Sequence, residues 1–278
     1  MTGTLIICAT PIGNLGDAPP RLGEALASAD VVYAEDTRRT ATLLAALGVT
    51  AELRSYFVGN EEARADELAQ RLAAGETVAL VSDAGTPAVA DPGVSAVRAA
   101  REVGAAITAV PGPSAVTMAL AVSGFGGDRF VFEGFLPRKG RDRATRIGSL
   151  AVEERTAVFF TTGPRLVKDL IDLAAAGRDR HIVVARELTK VYEEVWFGLL
   201  SGAAAHWEGA VRKGEFTVVV EGIEPEPVTA EAAVAKVLQR VGDGERLSDA
   251  AKVVARETGL PRSGLYAKAI ERISLEQD

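Results

Sequence analysis

The sequence predicts an α/β protein with two α/β lobes and a small C-terminal helical appendage. Strand-like apolar runs alternate with helix-like segments over residues 5–122, which is typical of a mostly parallel sheet. A glycine cluster at 123–127 ends that series, and strands restart at Phe130. Beyond the proline-containing segment 224–228, helical periodicity alone continues. We therefore expect lobes at 1–124 and 125–224, and an appendage at 225–278.

The elements of the first lobe follow from short periodic segments. Apolar runs of four or five residues indicate strands buried on both faces, and the intervening segments carry apolar residues three and four apart. Ser114 follows Pro-Gly-Pro and is suited to cap a helix. The predicted strands are 5–10, 31–34, 78–81 and 106–110, and the predicted helices are 21–28, 37–47, 61–74, 94–103 and 115–122.

Strands predominate in the second lobe, so mixed parallel and antiparallel pairing is expected there. The predicted strands are 130–132, 157–160, 181–185, 193–197 and 216–220, with helices at 143–150 and 165–176. In the appendage, helices are predicted at 230–241, 247–257 and 264–273. Residues 248–266 have the helix, glycine turn and helix of a nucleic-acid-binding helix-turn-helix, although a packing or dimer hairpin would show the same pattern.

Composition restricts the possible functions. A net charge of −7 argues against a protein that coats nucleic acid with its whole surface. One local segment, 138–146, nevertheless carries five cations in nine residues, which suits either polyanion binding or a solvated helix start. The single cysteine, Cys8, cannot form an intrachain disulfide and suggests a buried thiol in a reducing cytoplasm. With two histidines, the chain lacks any zinc-ligand spacing, and no apolar run approaches the length of a membrane span.

Three loops of small residues follow predicted strands of the first lobe. Loop one is 9–17 (ATPIGNLGD), loop two is 82–93 (SDAGTPAVADPG) and loop three is 111–115 (PGPSA). Ligands of open parallel sheets bind outside the carboxyl ends of the strands. Loop one lacks the lysine of a P-loop and the spacing of a dinucleotide fingerprint, which disfavours ATP and NAD. We expect a compact ligand, held mainly by backbone groups, across the three strand ends.

Six ordered motifs give the chain a family resemblance. They are 9–17, 34–39 (AEDTRR), 81–87 (VSDAGTP), 111–114 (PGPS), 132–137 (FEGFLP) and 185–190 (ARELTK). With these motifs the chain resembles, over nearly its whole length, the small-subunit ribosomal RNA methyltransferase I family of the tetrapyrrole methylase superfamily. The resemblance implies a non-Rossmann, two-lobed enzyme with S-adenosylmethionine in the cleft. It also implies methylation of the 2′-hydroxyl of a cytidine in the decoding region of 16S rRNA by a cytoplasmic homodimer.

The resemblance also implies roles for particular residues. The expected cofactor contacts are Pro11, Asp83, Gly85, Thr86, Ser114, Ala115, Phe160, Thr161, Ala185, Leu188 and Glu215. The catalytic candidates are Glu35, Glu187 and Lys190, with Asn14 as an orienting partner. The RNA-binding candidates are Arg38, Arg39, Arg138, Lys139, Arg141 and Arg143.

Other interpretations of the same residues remain. Each candidate carboxylate can instead pair with Arg38, Arg39 or Arg186 as part of the structure. A small-molecule methyltransferase that acts on a precorrin-like tetrapyrrole would use the same cofactor loops, but would not explain the basic segment. A non-catalytic RNA-binding protein on the same fold would not explain why all three cofactor loops are present.

Overall fold

A computed structural model describes residues 2–210, 213–224 and 229–275. The chain forms two compact units, Met1–Ile223 and Glu224–Asp278. Most of the predicted linker, residues 225–228, lies outside the described residues. Within the described ranges, no helix is both long and apolar enough to cross a membrane.

The first sheet of the larger unit is parallel throughout. Its strands are β1 (Thr4–Cys8), β2 (Val31–Ala34), β3 (Leu53–Ser55), β4 (Thr77–Val81) and β5 (Ala106–Val110), in the order β3-β2-β4-β1-β5. Its helices are α1 (Pro20–Ser28), α2 (Thr37–Leu47), α3 (Glu61–Ala73) and α4 (Val94–Glu102). Side chains alternate along β1, so that Ile6 packs with α1 and α2 while Leu5 packs with α3 and α4. The predicted parallel α/β sheet is confirmed.

The second sheet is mixed, as expected. Its strands are β6 (Phe130–Phe135), β7 (Thr156–Thr162), β8 (His181–Arg186), β9 (Glu194–Leu199) and β10 (Glu215–Val220), in the order β6-β7-β10-β8-β9. The β6–β7 pair is parallel and the other pairs are antiparallel. Helices α6 (Gly140–Ala151), α7 (Gly163–Ala176) and α8 (Leu200–Glu208) pack on one face.

Helix α5 (Ala115–Ser123) connects the two sheets. It follows the first sheet in the chain, but Val116, Ala119 and Leu120 pack on the second sheet, on the face opposite α6 to α8. Its N-terminus follows loop three directly, while its body packs beside β8 and β10. The helix therefore brings loop three close to the strand ends of the second sheet.

Two observed elements, β3 and α8, are missing from the predicted set. Strand β3 has three residues and lies at the edge of its sheet, so it is too short to show a period. Helix α8 contains Gly202 and consecutive alanines, and its N-cap residue, Leu199, makes no side-chain capping bond. Tertiary packing stabilises α8 instead, because Ala203 and Trp207 are fully buried against the second sheet.

The smaller unit has its own apolar core. It contains α9 (Ala230–Gly242), α10 (Leu247–Thr258) and α11 (Arg262–Leu275), which pack around Val237, Val254 and Leu265. Helix α10 ends at Gly259, whose φ of 72° is left-handed and suits glycine. The predicted helix, glycine turn and helix are therefore present.

Candidate active site

The three small-residue loops meet because their strands are neighbours. Strands β4, β1 and β5 are adjacent and parallel, so loops two, one and three leave the same edge of the sheet. Thr10 and Gly85 form an isolated antiparallel bridge between loops one and two. The Thr10 N–H donates to the Gly85 carbonyl at 2.8 Å, and the Gly85 N–H donates back at 3.1 Å. The glycine amide therefore pairs with loop one instead of facing a ligand.

A cavity of about 330 Å³ lies between these loops and the second sheet. The larger apolar side chains of its wall include Ile12, Val116, Phe135, Phe160, Leu188 and Phe216. The cavity is also lined by ten of the eleven residues predicted to bind cofactor, namely Asp83, Gly85, Thr86, Ser114, Ala115, Phe160, Thr161, Ala185, Leu188 and Glu215. Pro11 does not line it, and its neighbour Ile12 does. The structure thus brings together residues that are up to 132 positions apart in the chain, from Asp83 to Glu215.

The N-terminus of α5 opens onto this cavity. Ser114 is its N-cap residue and makes no side-chain capping bond, and Ala115 and Val116 form its first turn. Backbone N–H groups in the first turn of a helix have no partner within the helix and favour an anion. All three residues line the cavity. This wall is suited to a carboxylate.

Carboxylates occupy the wall formed by loop two and the end of β2. Asp83 accepts the Asp36 N–H at 2.9 Å and pairs with Arg39 at 3.3 Å, so it ties loop two to the start of α2. Glu35 accepts the Asp83 N–H at 3.3 Å. Burial raises the pKa of Glu35, and the charge of Asp83 adds to this effect.

Asp91 is the second carboxylate of loop two. It lines the cavity near Glu35, and burial together with the negative charge of Glu35 raises its pKa to about 6. A hydrogen bond with Ser82 opposes the shift. The sequence analysis assigned Asp91 no role. Its position between Ala90 and Pro92, in a loop that follows a buried strand, was a usable signal.

A compact ion cluster occupies the second-sheet side of the cavity. Lys190 donates to Glu187 at 2.8 Å and to Glu215 at 2.7 Å, and Glu187 also accepts the Glu215 N–H at 2.8 Å. Burial alone would raise the pKa of Glu187, but the bonds from Lys190 and the Glu215 backbone lower it. The same contacts raise the pKa of Lys190 against the effect of burial. Lys190 therefore pairs with both carboxylates of this cluster.

Two of the predicted functional residues make local contacts outside the cavity wall. Asn14 accepts the Gly16 N–H at 2.9 Å and caps a short 3₁₀ turn at Leu15–Asp17. Arg38 is largely exposed and pairs with Asp36 two positions earlier, at 2.7 Å. Arg39, in contrast, does line the cavity.

The basic segment divides into exposed and buried cations. Arg138, Lys139 and Arg141 are exposed and make no hydrogen bond or ion pair with the part of the chain that the structure describes. Arg143 is different, since it is only 6% exposed. It pairs with Asp169 at 2.8 Å and with Asp172 at 2.6 Å. The prediction that Arg143 contacts RNA is therefore wrong, because its guanidinium is enclosed and neutralised.

Arg143 instead anchors the loop that carries the exposed cations. Its Nη1 donates to the Pro137 carbonyl at 2.9 Å, and Arg165 donates to the neighbouring Leu136 carbonyl. Asp169 in turn accepts a 2.6 Å hydrogen bond from Thr161, a residue of the cavity wall. A buried network thus connects the cavity to the basic segment.

The fold and cavity place the chain in a known class. Residues 4–204 match the family model described as Tetrapyrrole (Corrin/Porphyrin) Methylases, and residues 228–272 match the RsmI C-terminal HTH domain. The methyltransferase CobJ has a similar structure, with a TM-score of 0.60 at 20% identity over 80% of this chain and 95% of that chain. Uroporphyrin-III C-methyl transferase from Thermus thermophilus, complexed with S-adenyl homocysteine, gives a TM-score of 0.55 at 19% identity over 78% and 96%. The chain belongs to the tetrapyrrole methylases.

Curated relatives narrow this assignment. Proteins named ribosomal RNA small subunit methyltransferase I are 43% identical in Synechocystis over 97% of this chain and 98% of the relative, and 45% identical in Xylella fastidiosa over 95% and 98%. The protein of that name from Escherichia coli O157:H7 is 38% identical over 97% and 96%. The chain thus belongs to the ribosomal RNA small subunit methyltransferase I family. It is a methyltransferase whose methyl donor is S-adenosylmethionine.

Replacement of Arg143 by methionine should destabilise the protein by about 3 kcal/mol, because buried Asp169 would lose its 2.8 Å ion pair and keep only the longer 3.9 Å pair with Arg165. Urea unfolding of the larger unit would measure this. The matched control is Arg141→Met, on the same helix but exposed, which should change stability by no more than about 0.5 kcal/mol. Similar small losses in both variants would contradict the anchoring role of Arg143.

Proposed function

We propose that this protein methylates the 2′-hydroxyl of a cytidine in the decoding region of 16S rRNA, and that it acts in the cytoplasm as a homodimer. The observation that carries the proposal is a methyl-donor cavity that adjoins a stretch of exposed cations through one buried network. Family membership supplies the methyl-transfer chemistry, and the names of the relatives indicate ribosomal RNA. The exposed cations then give the substrate a place to bind.

The residues of the cavity fit S-adenosylmethionine, which supplies an electrophilic methyl group when bound. The open N-terminus of α5 suits the carboxylate of its amino-acid portion. The carboxylates of loop two suit its ammonium and sulfonium charges. Phe160, Ala185 and Leu188 provide apolar surface for adenine. Asp83 contributes charge to this wall while its oxygens hold loop two against α2.

The chain's own work in the reaction is to position the nucleophile and exclude water. A methyl transfer from sulfur needs the attacking oxygen in line with the carbon–sulfur bond, so orientation contributes much of the rate. The Lys190 cluster holds Glu187 and Glu215 in fixed positions on one side of the cavity. We assign these residues to positioning, because Lys190 is already engaged by both carboxylates.

An exposed aromatic side chain marks the mouth of the cavity. Phe135 lines it, is 51% exposed, and lies 5.6 Å from Phe160 between ring centroids. The register of β6 with β7 shifts between Phe132 and Phe135, and Gly134 has a φ of 59° there. Single-stranded RNA bases stack on such exposed rings. The basic segment begins three residues later, at Arg138, so base and phosphate contacts adjoin.

Mass spectrometry would test the proposal directly. Small ribosomal subunits that lack the modification, naked 16S rRNA and a precorrin-like tetrapyrrole would each be incubated with the protein and labelled S-adenosylmethionine. Nuclease digestion should yield labelled 2′-O-methylcytidine from the ribosomal substrates. Label in the tetrapyrrole alone would contradict the proposal, and tight RNA binding without transfer would indicate a non-catalytic RNA-binding protein.

Removing the exposed cations should weaken RNA binding in a salt-dependent way. In the triple variant Arg138→Ala, Lys139→Ala and Arg141→Ala, three phosphate contacts are lost. The slope of log K against log salt should then fall in magnitude by about 2. Affinity for S-adenosylhomocysteine should not change, because none of the three lines the cavity. Arg101→Ala on α4, far from the segment in sequence, is the control, and an unchanged slope in the triple variant would refute the assignment.

An exposed apolar surface supports the homodimer. Val195, Phe197 and Leu199 of the edge strand β9 are 43%, 57% and 47% exposed, and they share the sheet face that α5 covers elsewhere. Met118 and Val122 of α5 are also exposed. Phe125, just beyond α5, contacts Phe197 with ring centroids 6.1 Å apart. This contact connects the exposed apolar residues of β9 with those of α5. A second copy of the chain would bury this surface.

A charge placed in this surface should separate the copies. Phe197→Glu should convert a dimer into a monomer in analytical ultracentrifugation, because the introduced carboxylate would be buried without a partner. Ile171→Glu is the matched control, since Ile171 is 51% exposed but lies on α7, on the other face of the second sheet. A monomeric starting protein, or equal effects of both variants, would contradict this interface.

A further inference from the structure

We propose that Asp91 is the general base that accepts the proton of the ribose 2′-hydroxyl. This inference rests on the proposed function, because it needs a hydroxyl acceptor in the cavity. It adds a catalytic residue that was not among the candidates Glu35, Glu187, Lys190 and Asn14.

The partners of the cavity carboxylates exclude most of them from this role. Five carboxylates line the cavity, from Glu35, Asp83, Asp91, Glu187 and Glu215. Asp83 is paired with Arg39, whereas Glu187 and Glu215 share Lys190. An ion-paired carboxylate is a weak base, since its cation stabilises the deprotonated form. Among the described residues, Glu35 and Asp91 are the cavity carboxylates without an ion pair.

Hydrogen bonds and charge distinguish the two that remain. Glu35 accepts the backbone N–H of Asp83 at 3.3 Å, and the positive charge of Arg39 also favours its ionised form. Asp91 contacts the hydroxyl of Ser82, and the negative charges that act on it are those of Glu35, Asp83 and Glu215. Its pKa of about 6 lies close to neutral pH, where a base combines a deprotonated form with useful proton affinity. The cavity cations Arg39 and Lys190 are engaged by other carboxylates.

The backbone of loop two is strained on both sides of this carboxylate. Ala88 and Ala90 have φ values of 68° and 64°, a left-handed conformation that residues with side chains rarely adopt. The Ala88 N–H donates to the Pro92 carbonyl at 3.2 Å and closes the turn around Asp91. Val89, Ala90 and Asp91 all line the cavity as a result. Such strain is concentrated at functional sites, where the surrounding structure enforces it.

The methyl transfer and the proton transfer together conserve atoms and charge. The 2′-oxygen forms a bond to the methyl carbon as the carbon–sulfur bond breaks, and the electron pair of that bond stays on sulfur. The hydroxyl proton passes to a carboxylate oxygen of Asp91, which becomes a neutral carboxylic acid. Solvent removes that proton before the next turnover. No oxidant, reductant or metal ion is required.

Single-turnover methylation of ribosomal substrate over pH 5–9 tests the assignment. The wild-type rate should rise with pH through an apparent pKa of about 6 or lower, because protonated Asp91 cannot accept the proton and a bound cationic donor favours its ionised form. Asp91→Asn should lower the rate by about 10²-fold or more and abolish this acid limb. Its affinity for S-adenosylhomocysteine should fall far less than the rate, because Asp83 keeps a carboxylate on the same wall, and its unfolding midpoint should stay within error. Asp66→Asn, an exposed position on α3, is the control and should leave the profile unchanged.

Two neighbouring substitutions provide a test that a merely structural role of Asp91 would not satisfy. Ser82→Ala removes a hydrogen bond that favours ionised Asp91 and should move the acid limb to higher pH. Glu35→Gln removes a nearby negative charge and should move it to lower pH. A normal profile in Asp91→Asn, or loss of the limb in Glu35→Gln alone, would overturn the assignment. Absence of methylation by the wild-type protein would instead refute the proposed function.

Discussion

The paired hydrogen bonds between Thr10 and Gly85 are the constraint on which the site depends. Parallel neighbours β1 and β4 bring loops one and two side by side, but neither strand continues far enough to fix them. The bridge closes this gap, and the Thr10 hydroxyl adds a 3.2 Å bond to the Ser82 carbonyl. Thr10 and Ser82 are almost completely buried, so water does not compete for these bonds. Ile12 and Asp83 are therefore held on the walls of one cavity.

Charge is distributed unevenly across that cavity, and this affects the pKa values of the carboxyl groups on its loop-two wall. On the second-sheet wall Lys190 pairs with both Glu187 and Glu215, whereas on the loop-two wall Glu35 and Asp91 make no ion pair with the described residues. Burial raises the pKa of both groups; the charge of Asp83 adds to the effect on Glu35, and the charge of Glu35 adds to the effect on Asp91. A cationic methyl donor beside them would favour their ionised forms. Binding of the donor and deprotonation of Asp91 would therefore promote each other.

Local patterns predicted the architecture well because its core is periodic. The four-residue strand β2 and the helix α2 were predicted at their observed bounds, since apolar spacing and flanking turns specify both. The loop residues of the cavity could be located from the strand ends that precede them. The burial of Arg143 could not be predicted, because its partners Asp169 and Asp172 lie more than 25 positions away. Local charge spacing carries no information about them. The role proposed for Asp91 could not be predicted for a related reason. Its pKa is raised by burial and by the charge of Glu35, which is distant in the sequence.

The burial of Arg143 shows that the cations of the basic segment differ in role, which a count of charges does not reveal. An arginine enclosed with two aspartates contributes nothing to phosphate attraction, yet its bond to the Pro137 carbonyl fixes where the exposed cations begin. Asp169, its partner, also holds Thr161 on the cavity wall. The distance between the cavity and the exposed cations is thereby set by one buried network. Within 138–143, the buried cation determines the geometry, and under the proposed function the exposed cations supply the affinity for RNA, so substitutions at the two kinds of position should have separable effects.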